Sequence, residues 1–139
     1  VLSAGLPAFG RFRDDLVLAQ ARTQVSQDLR AARQGAVTRH CLVRVVFGDG
    51  STTTDVSNYT THYDTNSDGD VATNELYLNH RMPSRSKLGL VTLDPPDSLT
   101  FDLSGVLLPG TGGGTLVIAS PLGRTDTLYV SAAGVVYQP

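Results

Sequence analysis

The sequence predicts an α+β fold in which one long N-terminal helix packs on a mostly antiparallel β domain. Three observations predict it. Apolar residues recur at three-to-four-residue steps through the Pro-free stretch from Phe9 to Ala36. Glu and Lys, the usual surface helix formers, occur once each, at Glu75 and Lys87, while there are 14 glycines and 7 prolines. From Cys41 onward, short β-branched runs alternate with turn signals. Helix first and strands afterwards is α+β by segregation.

The helical stretch carries the stripe Leu18, Ala21, Val25, Leu29, Ala32 and Ala36, one narrow apolar face. Small residues on and beside it (Ala19, Ala21, Ser26, Ala31) allow another element to approach closely. A sheet on one side and other subunits on the other would suit such a helix. Gly35 weakens the last turn, whereas Arg33, Arg39 and His40 complement the helix dipole. Pro7 is tolerated in a first turn, or kinks a helix that continues upstream. No initiator Met is present and Val1 to Phe9 reads as the tail of a longer apolar segment, so a processed or cut N-terminus is expected. No run of about twenty apolar residues remains, and the chain as it stands is expected to be soluble.

After the helix, Cys41–Phe47 is an apolar strand, Gly48-Asp49-Gly50 a turn signal, and Thr52–Tyr63 a Thr-rich partner strand. Further strands are expected at Leu76–Met82, Leu88–Leu93, Leu99–Leu103, Leu116–Ser120, Asp126–Ser131 and Val135–Tyr137. Turns are expected at Asp94-Pro95-Pro96-Asp97, in the Gly110–Gly114 tract and at Ala133-Gly134, which joins the last pair as a hairpin. The 139 residues suffice for one core, so residues 1–139 read as a single domain: helix over 1–38, β body over 41–139.

The net charge of −2 hides an asymmetry. Up to Arg44 the balance is +4, and beyond it −6. A basic helix and an acidic body can attract one another between subunits or recruit an anionic partner; both can also be solvated faces. Cys41 is the single cysteine, so no intramolecular disulfide holds the domain.

The apolar start, Pro7, the helix ending Asp28-Leu29-Arg30-Ala31-Ala32-Arg33-Gln34-Gly35-Ala36 and the following β domain resemble the GspH/FimT family of minor pilins and pseudopilins. Tyr63-Asp64-Thr65-Asn66-Ser67-Asp68-Gly69-Asp70 with Glu75-Leu76-Tyr77-Leu78 is similar to that family's aromatic, Asp-rich loop and Glu-led strand. Leu99–Gly105 and Leu128–Val136 are similar to its last strands. The resemblance implies a pilin-like fold with two small sheets. It implies a structural subunit of a type IV pilus or type II secretion pseudopilus, with other pilin or pseudopilin subunits as partners. An apolar half-helix ahead of Val1 would hold the subunit in the inner membrane of a bacterium before assembly, and in a periplasmic or extracellular filament afterwards. The stripe from Leu18 to Ala36 would fasten the globular domain onto that rod. The family's Gly-Phe-Thr-Leu-x-Glu processing site is absent from the sequence. Its closing Gly-Arg-x-Arg, linked to DNA binding in transformation-linked members, is replaced by Gly134-Val135-Val136-Tyr137.

Asp64 to Glu75 fits the twelve-residue calcium-loop template: Asp64 first, Asn66 third, Asp68 fifth, Gly69 sixth, Asp70 seventh, Ala72 ninth and Glu75 twelfth. Alternate side chains of a tight loop point inward, and a hard cation wants six to eight oxygens. A structural Ca2+, held as a static clip between two strands, is the cofactor expectation. The alternative is a metal-free turn whose Asx side chains bond their own backbone.

His80, Arg81, Arg85 and Lys87 form a basic cluster outside the helix, with Tyr77 able to stack on a base. Arg81, Arg85 and Lys87 are therefore the candidate DNA contacts of a competence-associated pilin, an alternative to the plain assembly subunit. A secreted calcium-binding module is a further alternative. His40 and Cys41 are adjacent, point to opposite faces if extended, and cannot share a proton. The sequence shows no phosphate loop, nucleophile elbow or paired catalytic carboxylates, and no enzyme is expected.

Overall fold

The computed structural model describes residues 2–48, 54–71, 77–93, 98–108 and 113–138. Helix α1 runs over Leu2–Arg39, longer at both ends than the Phe9–Ala36 periodicity indicates. Gly5 and Pro7 blur the apolar repeat at the start without ending the helix. At the other end His40 adopts a left-handed conformation (φ 53°), and the Cys41 N–H reaches back to the Ala36 carbonyl at 3.3 Å. This is a Schellman-type stop, with a histidine where glycine is usual and with Cys41 and Ala36 both buried beside it.

Nine strands follow among the described residues: β1 Val43–Phe47, β2 Thr54–Val56, β3 Asn58–Tyr63, β4 Tyr77–Arg81, β5 Lys87–Thr92, β6 Ser98–Phe101, β7 Gly114–Ala119, β8 Thr125–Val130 and β9 Val136–Tyr137. They form two antiparallel sheets, ordered β4-β3-β1-β6 and β2-β5-β7-β8-β9. The α+β class and the two small sheets are those expected.

One expected strand, Thr52–Tyr63, is in fact two. Asp55 takes a left-handed conformation (φ 52°), and the chain changes sheets between Val56 and Asn58. β2 pairs with β5, whereas β3 lies between β1 and β4 in the other sheet. Thr-rich composition signals strand but not the sheet it joins. The Ala133-Gly134 hairpin forms as expected, with Tyr129 opposite Tyr137 and Gly134 at φ 81°. Asp49-Gly50, Thr52, Thr53, Leu76, the Asp94–Asp97 turn and residues 110–112 of the glycine tract lie outside the described residues.

Residues Gly113 and Gly114 are required by close approach. A Cβ on Gly113 would lie 2.2 Å from the Val130 carbonyl oxygen, and one on Gly114 2.0 Å from that of Thr92. No side chain fits between these two backbones.

Helix α1 lies against β1 and β6 of the first sheet and β7, β8 and β9 of the second. Its Ala21, Val25, Leu29, Ala32 and Ala36 join Val43, Val45, Phe47, Tyr59, Leu99 and Phe101, with Leu88, Leu116, Ile118 and Leu128, in one apolar core. β1 shows why the sequence alternates: Val43, Val45 and Phe47 face inward while Arg44 and Val46 point away.

Leu29 is fully buried, so Leu29→Ala is expected to lower the unfolding free energy by about 3 kcal/mol. His40→Gly is expected to raise it by about 0.5–1 kcal/mol, because glycine enters the left-handed stop without strain. Urea unfolding of the two variants checks both signs.

Candidate functional site

The helix presents two opposite faces. Ala21, Val25, Leu29, Ala32 and Ala36 are at most 1% exposed and Leu18 packs partly buried against them, so this stripe is used within the chain's own β body. Half a turn away lies an outward stripe: Phe9, Phe12, Leu16, Gln20, Thr23 and Gln27, continuing through Ala31, Gln34 and Thr38. It repeats at three- and four-residue steps and contains no charge, while Arg13 and Arg30 stand at its borders. Phe9, Phe12 and Leu16 are 59%, 60% and 55% exposed. A search for an apolar period does not detect this face, because beyond Leu16 its members are polar yet uncharged. The usable signal is the absence of charge opposite the buried stripe.

Charged residues on the flanks clamp the helix to the sheets. Buried Asp14 accepts a 2.5 Å hydrogen bond from the Ser120 hydroxyl and a 3.2 Å one from the Leu122 N–H. Beside it, Asp15 pairs with Arg124 on the exposed surface. Arg22 meets Asp126 at 2.7 Å, and the Asp126 carboxylate also accepts from Gln138. Arg33 donates to the Gly105 carbonyl at 2.8 Å. At Arg22–Asp126 the attraction between basic helix and acidic body is satisfied inside one chain.

The central clamp is a polar network at Asp28. The Tyr59 hydroxyl donates to Asp28 Oδ2, Gln24 Nε2 donates to the Tyr59 hydroxyl at 3.3 Å, and His80 Nδ1 lies 3.4 Å from Asp28. His80 stacks on Tyr59 with ring centroids 4.9 Å apart, and its Nε2 lies 3.1 Å from the Thr61 hydroxyl. Burial, and then the hydrogen bond to Asp28, push the Tyr59 hydroxyl well above its usual range, so it stays protonated and donating.

This network corrects the sequence grouping of His80 with the basic cluster. The imidazole is turned to the helix by Asp28, and Tyr77 packs on His62 at 5.5 Å between centroids. Arg81, Arg85 and Lys87 do come together, exposed around an open concavity of about 700 Å3 that Ser57, Ser86 and Pro121 also line. Ser84 and Arg85, in the 3₁₀ turn Pro83–Arg85 that precedes Lys87, both adopt left-handed backbone (φ 50° and 65°).

In the acidic loop, Asp64 follows β3 and is buried, 4% exposed, while Asn66, Asp68 and Asp70 are exposed. Asp64 Oδ2 accepts from the Gly69 N–H (3.1 Å), Asn66 Oδ1 from the Asp68 N–H (3.1 Å) and Asp68 Oδ1 from the Asp70 N–H (2.9 Å). Gly69, at φ 85°, makes the sharp turn expected at the sixth position. Ala72 and Glu75 lie outside the described residues. Among the described residues no three His, Cys, Asp or Glu side chains are gathered in a metal-holding group. Cys41 is buried at the end of the helix while His40 is exposed, so the pair is not a nucleophile and base.

This architecture, a long helix laid across two antiparallel sheets, is pilin-like. The chain belongs to the GspH family: the model of type II transport protein GspH matches residues 21–134. The fold is similar to that of the type IV minor pilin FimU of Pseudomonas aeruginosa (strain PAO1) in two crystal forms. In space group P21 the TM-score is 0.61 at 20% identity, covering 92% of each chain. In space group P65 it is 0.59 at 20% identity, covering 88% of this chain and 92% of that one. No curated protein sequence matches this one. No helix among the described residues is long and apolar enough to cross a membrane.

His62 supplies a pH dependence. Burial, and then the nearby Arg44 guanidinium, lower its pKa below the usual 6.5. The folded state thus keeps the ring neutral where the unfolded chain protonates it, and the associated stability is complete above about pH 6.5 and lost as pH falls below it. Unfolding free energy is expected to drop as pH falls below about 6.5, and to drop less in His62→Gln; equal slopes in urea titrations would show that other groups carry the effect.

Proposed function

We propose that this chain is a minor-pilin-type structural subunit of a type IV pilus or a type II secretion pseudopilus, packing on neighbouring subunits through the outward face of α1. The observation that carries the reading is the charge-free stripe from Phe9 to Thr38 on a helix rich in arginine. A surface meant only for water gains nothing by excluding charge, whereas a surface to be covered by other helices does, since an unpaired buried cation is costly. The stripe is most apolar at Phe9, Phe12 and Leu16, so its tightest packing lies toward the N-terminal end. There a preceding apolar half-helix would continue it into the inner membrane and, after assembly, the filament core. In this reading the buried stripe from Leu18 to Ala36 fastens the body to the rod, and the work is mechanical rather than catalytic. FimU being a type IV minor pilin and the GspH family a type II transport family support the two filament systems named.

Gln20→Arg with Gln27→Arg is expected to leave thermal stability within about 0.5 kcal/mol of wild type. In cells, the same pair is expected to reduce copurification with filament subunits at least tenfold, while Thr125→Arg on β8 does not. Full incorporation of the double variant would refute the assignment of this face.

A further inference from the structure

The connection after β3 holds a side chain that the fold alone does not explain. Asp64 is 4% exposed and its backbone N–H is fixed to the Leu42 carbonyl at 2.9 Å. Its Oδ2 takes the Gly69 N–H, which turns the carboxylate into the loop. The other oxygen, Oδ1, is buried and has no hydrogen-bond partner among the described residues. Leaving a carboxylate oxygen buried and unpartnered incurs its full desolvation cost, and such groups are rare unless an ion or water completes them.

We propose that Asp64, Asn66, Asp68 and Asp70 form a calcium site in which Asp64 Oδ1 is a direct ligand. The hydrogen bonds already present leave that oxygen available. Asn66 Oδ1 and Asp68 Oδ1 accept the N–H groups of Asp68 and Asp70, Asp68 Oδ2 accepts from the Asn66 amide, and an oxygen that accepts one hydrogen bond retains a second lone pair. All the donors in this set are oxygen atoms, which suits a hard cation and gives zinc none of its preferred nitrogen or sulfur. Calcium tolerates irregular shells of six to eight oxygens, whereas magnesium demands a near-ideal octahedron and gives up water reluctantly. The side chains are not yet gathered about one point, so the ion draws Asp68 and Asp70 toward Asp64 and offsets their mutual repulsion. Because the loop joins strand β3 to strand β4 and not two helices, binding stiffens this connection without opening a groove.

The test uses the whole chain stripped with EDTA. Adding about 1 mM CaCl2 is expected to raise the melting temperature by about 5 °C, reversibly, and magnesium at the same concentration by much less. Terbium should show luminescence sensitised by the adjacent Tyr63 and displaced by calcium. Asp64→Asn should abolish both signals, and Asp68→Asn should weaken affinity at least tenfold. If Asp64→Asn fails to fold, as judged by circular dichroism in EDTA, the exposed Asp68→Asn decides. Identical melting in EDTA and calcium, equal responses to magnesium and calcium, or an Asp68→Asn variant that binds like wild type would overturn the proposal.

Discussion

One buried helix face fixes this structure. The chain visits the two sheets alternately, with β1 in the first, β2 in the second, β3 and β4 in the first, β5 in the second, β6 in the first and β7 to β9 in the second. Neither sheet is therefore a contiguous piece of sequence, and each needs a common surface on which to close. Ala21, Val25, Leu29, Ala32 and Ala36 provide it, with β1 and β6 at one side and β7, β8 and β9 at the other. Three of these five residues are alanine, which brings the helix backbone close to the strands and leaves Val25 and Leu29 to fill the gap between the sheets.

Polar contacts then set the position of the helix along its axis. An apolar face made largely of alanine is smooth, and burial alone distinguishes poorly between neighbouring registers. The clamps at Asp14, Arg22, Asp28 and Arg33 are spread along the helix and reach the β7–β8 turn, β8, the β3–β4 pair and the loop after β6. A slide of one turn would unmake all of them together. Asp14 and the Asp28 network matter most for this, because they are the least hydrated and leave buried polar groups unpaired if broken. The exposed Asp15–Arg124 pair adds little by comparison.

The sequence made the helix, its buried stripe and most strand segments legible, because each is written in a local period or a turn residue. The split of Thr52–Tyr63 was not read from the sequence: the buried positions shift phase between Val56 and Tyr59, where the chain changes sheets, and one such step in a Thr-rich run is inconspicuous. Nor were the clamps, since Arg22 and Asp126 stand 104 positions apart and nothing local in either predicts the other. His80 shows the same limit, reading as a surface cation beside Arg81 yet facing the helix through Asp28. In the acidic loop the left-handed Gly69 and the Asx-type hydrogen bonds suit both the ion-holding loop and the metal-free turn that its local spacing allowed.

Charge is thus sorted around α1 into three zones, and the sorting follows from what each zone meets. The face toward the sheets is apolar because it lies in the core, except at buried Asp14, whose carboxylate accepts from Ser120 and the Leu122 N–H. On the flanks Asp15, Arg22, Asp28 and Arg33 each find a partner at the edge of the β body. Among the described residues the third zone is exposed along its length, so the packing they show places little demand on it. Arginine is frequent elsewhere in the helix and would be tolerated there by the isolated fold. Gln, Thr and Ala at those positions instead form a surface that can be dehydrated without stranding a charge, with amide and hydroxyl groups able to hydrogen-bond across a helix–helix contact. In the proposed function, a second subunit laid beside this helix would account for what one subunit leaves unexplained in it.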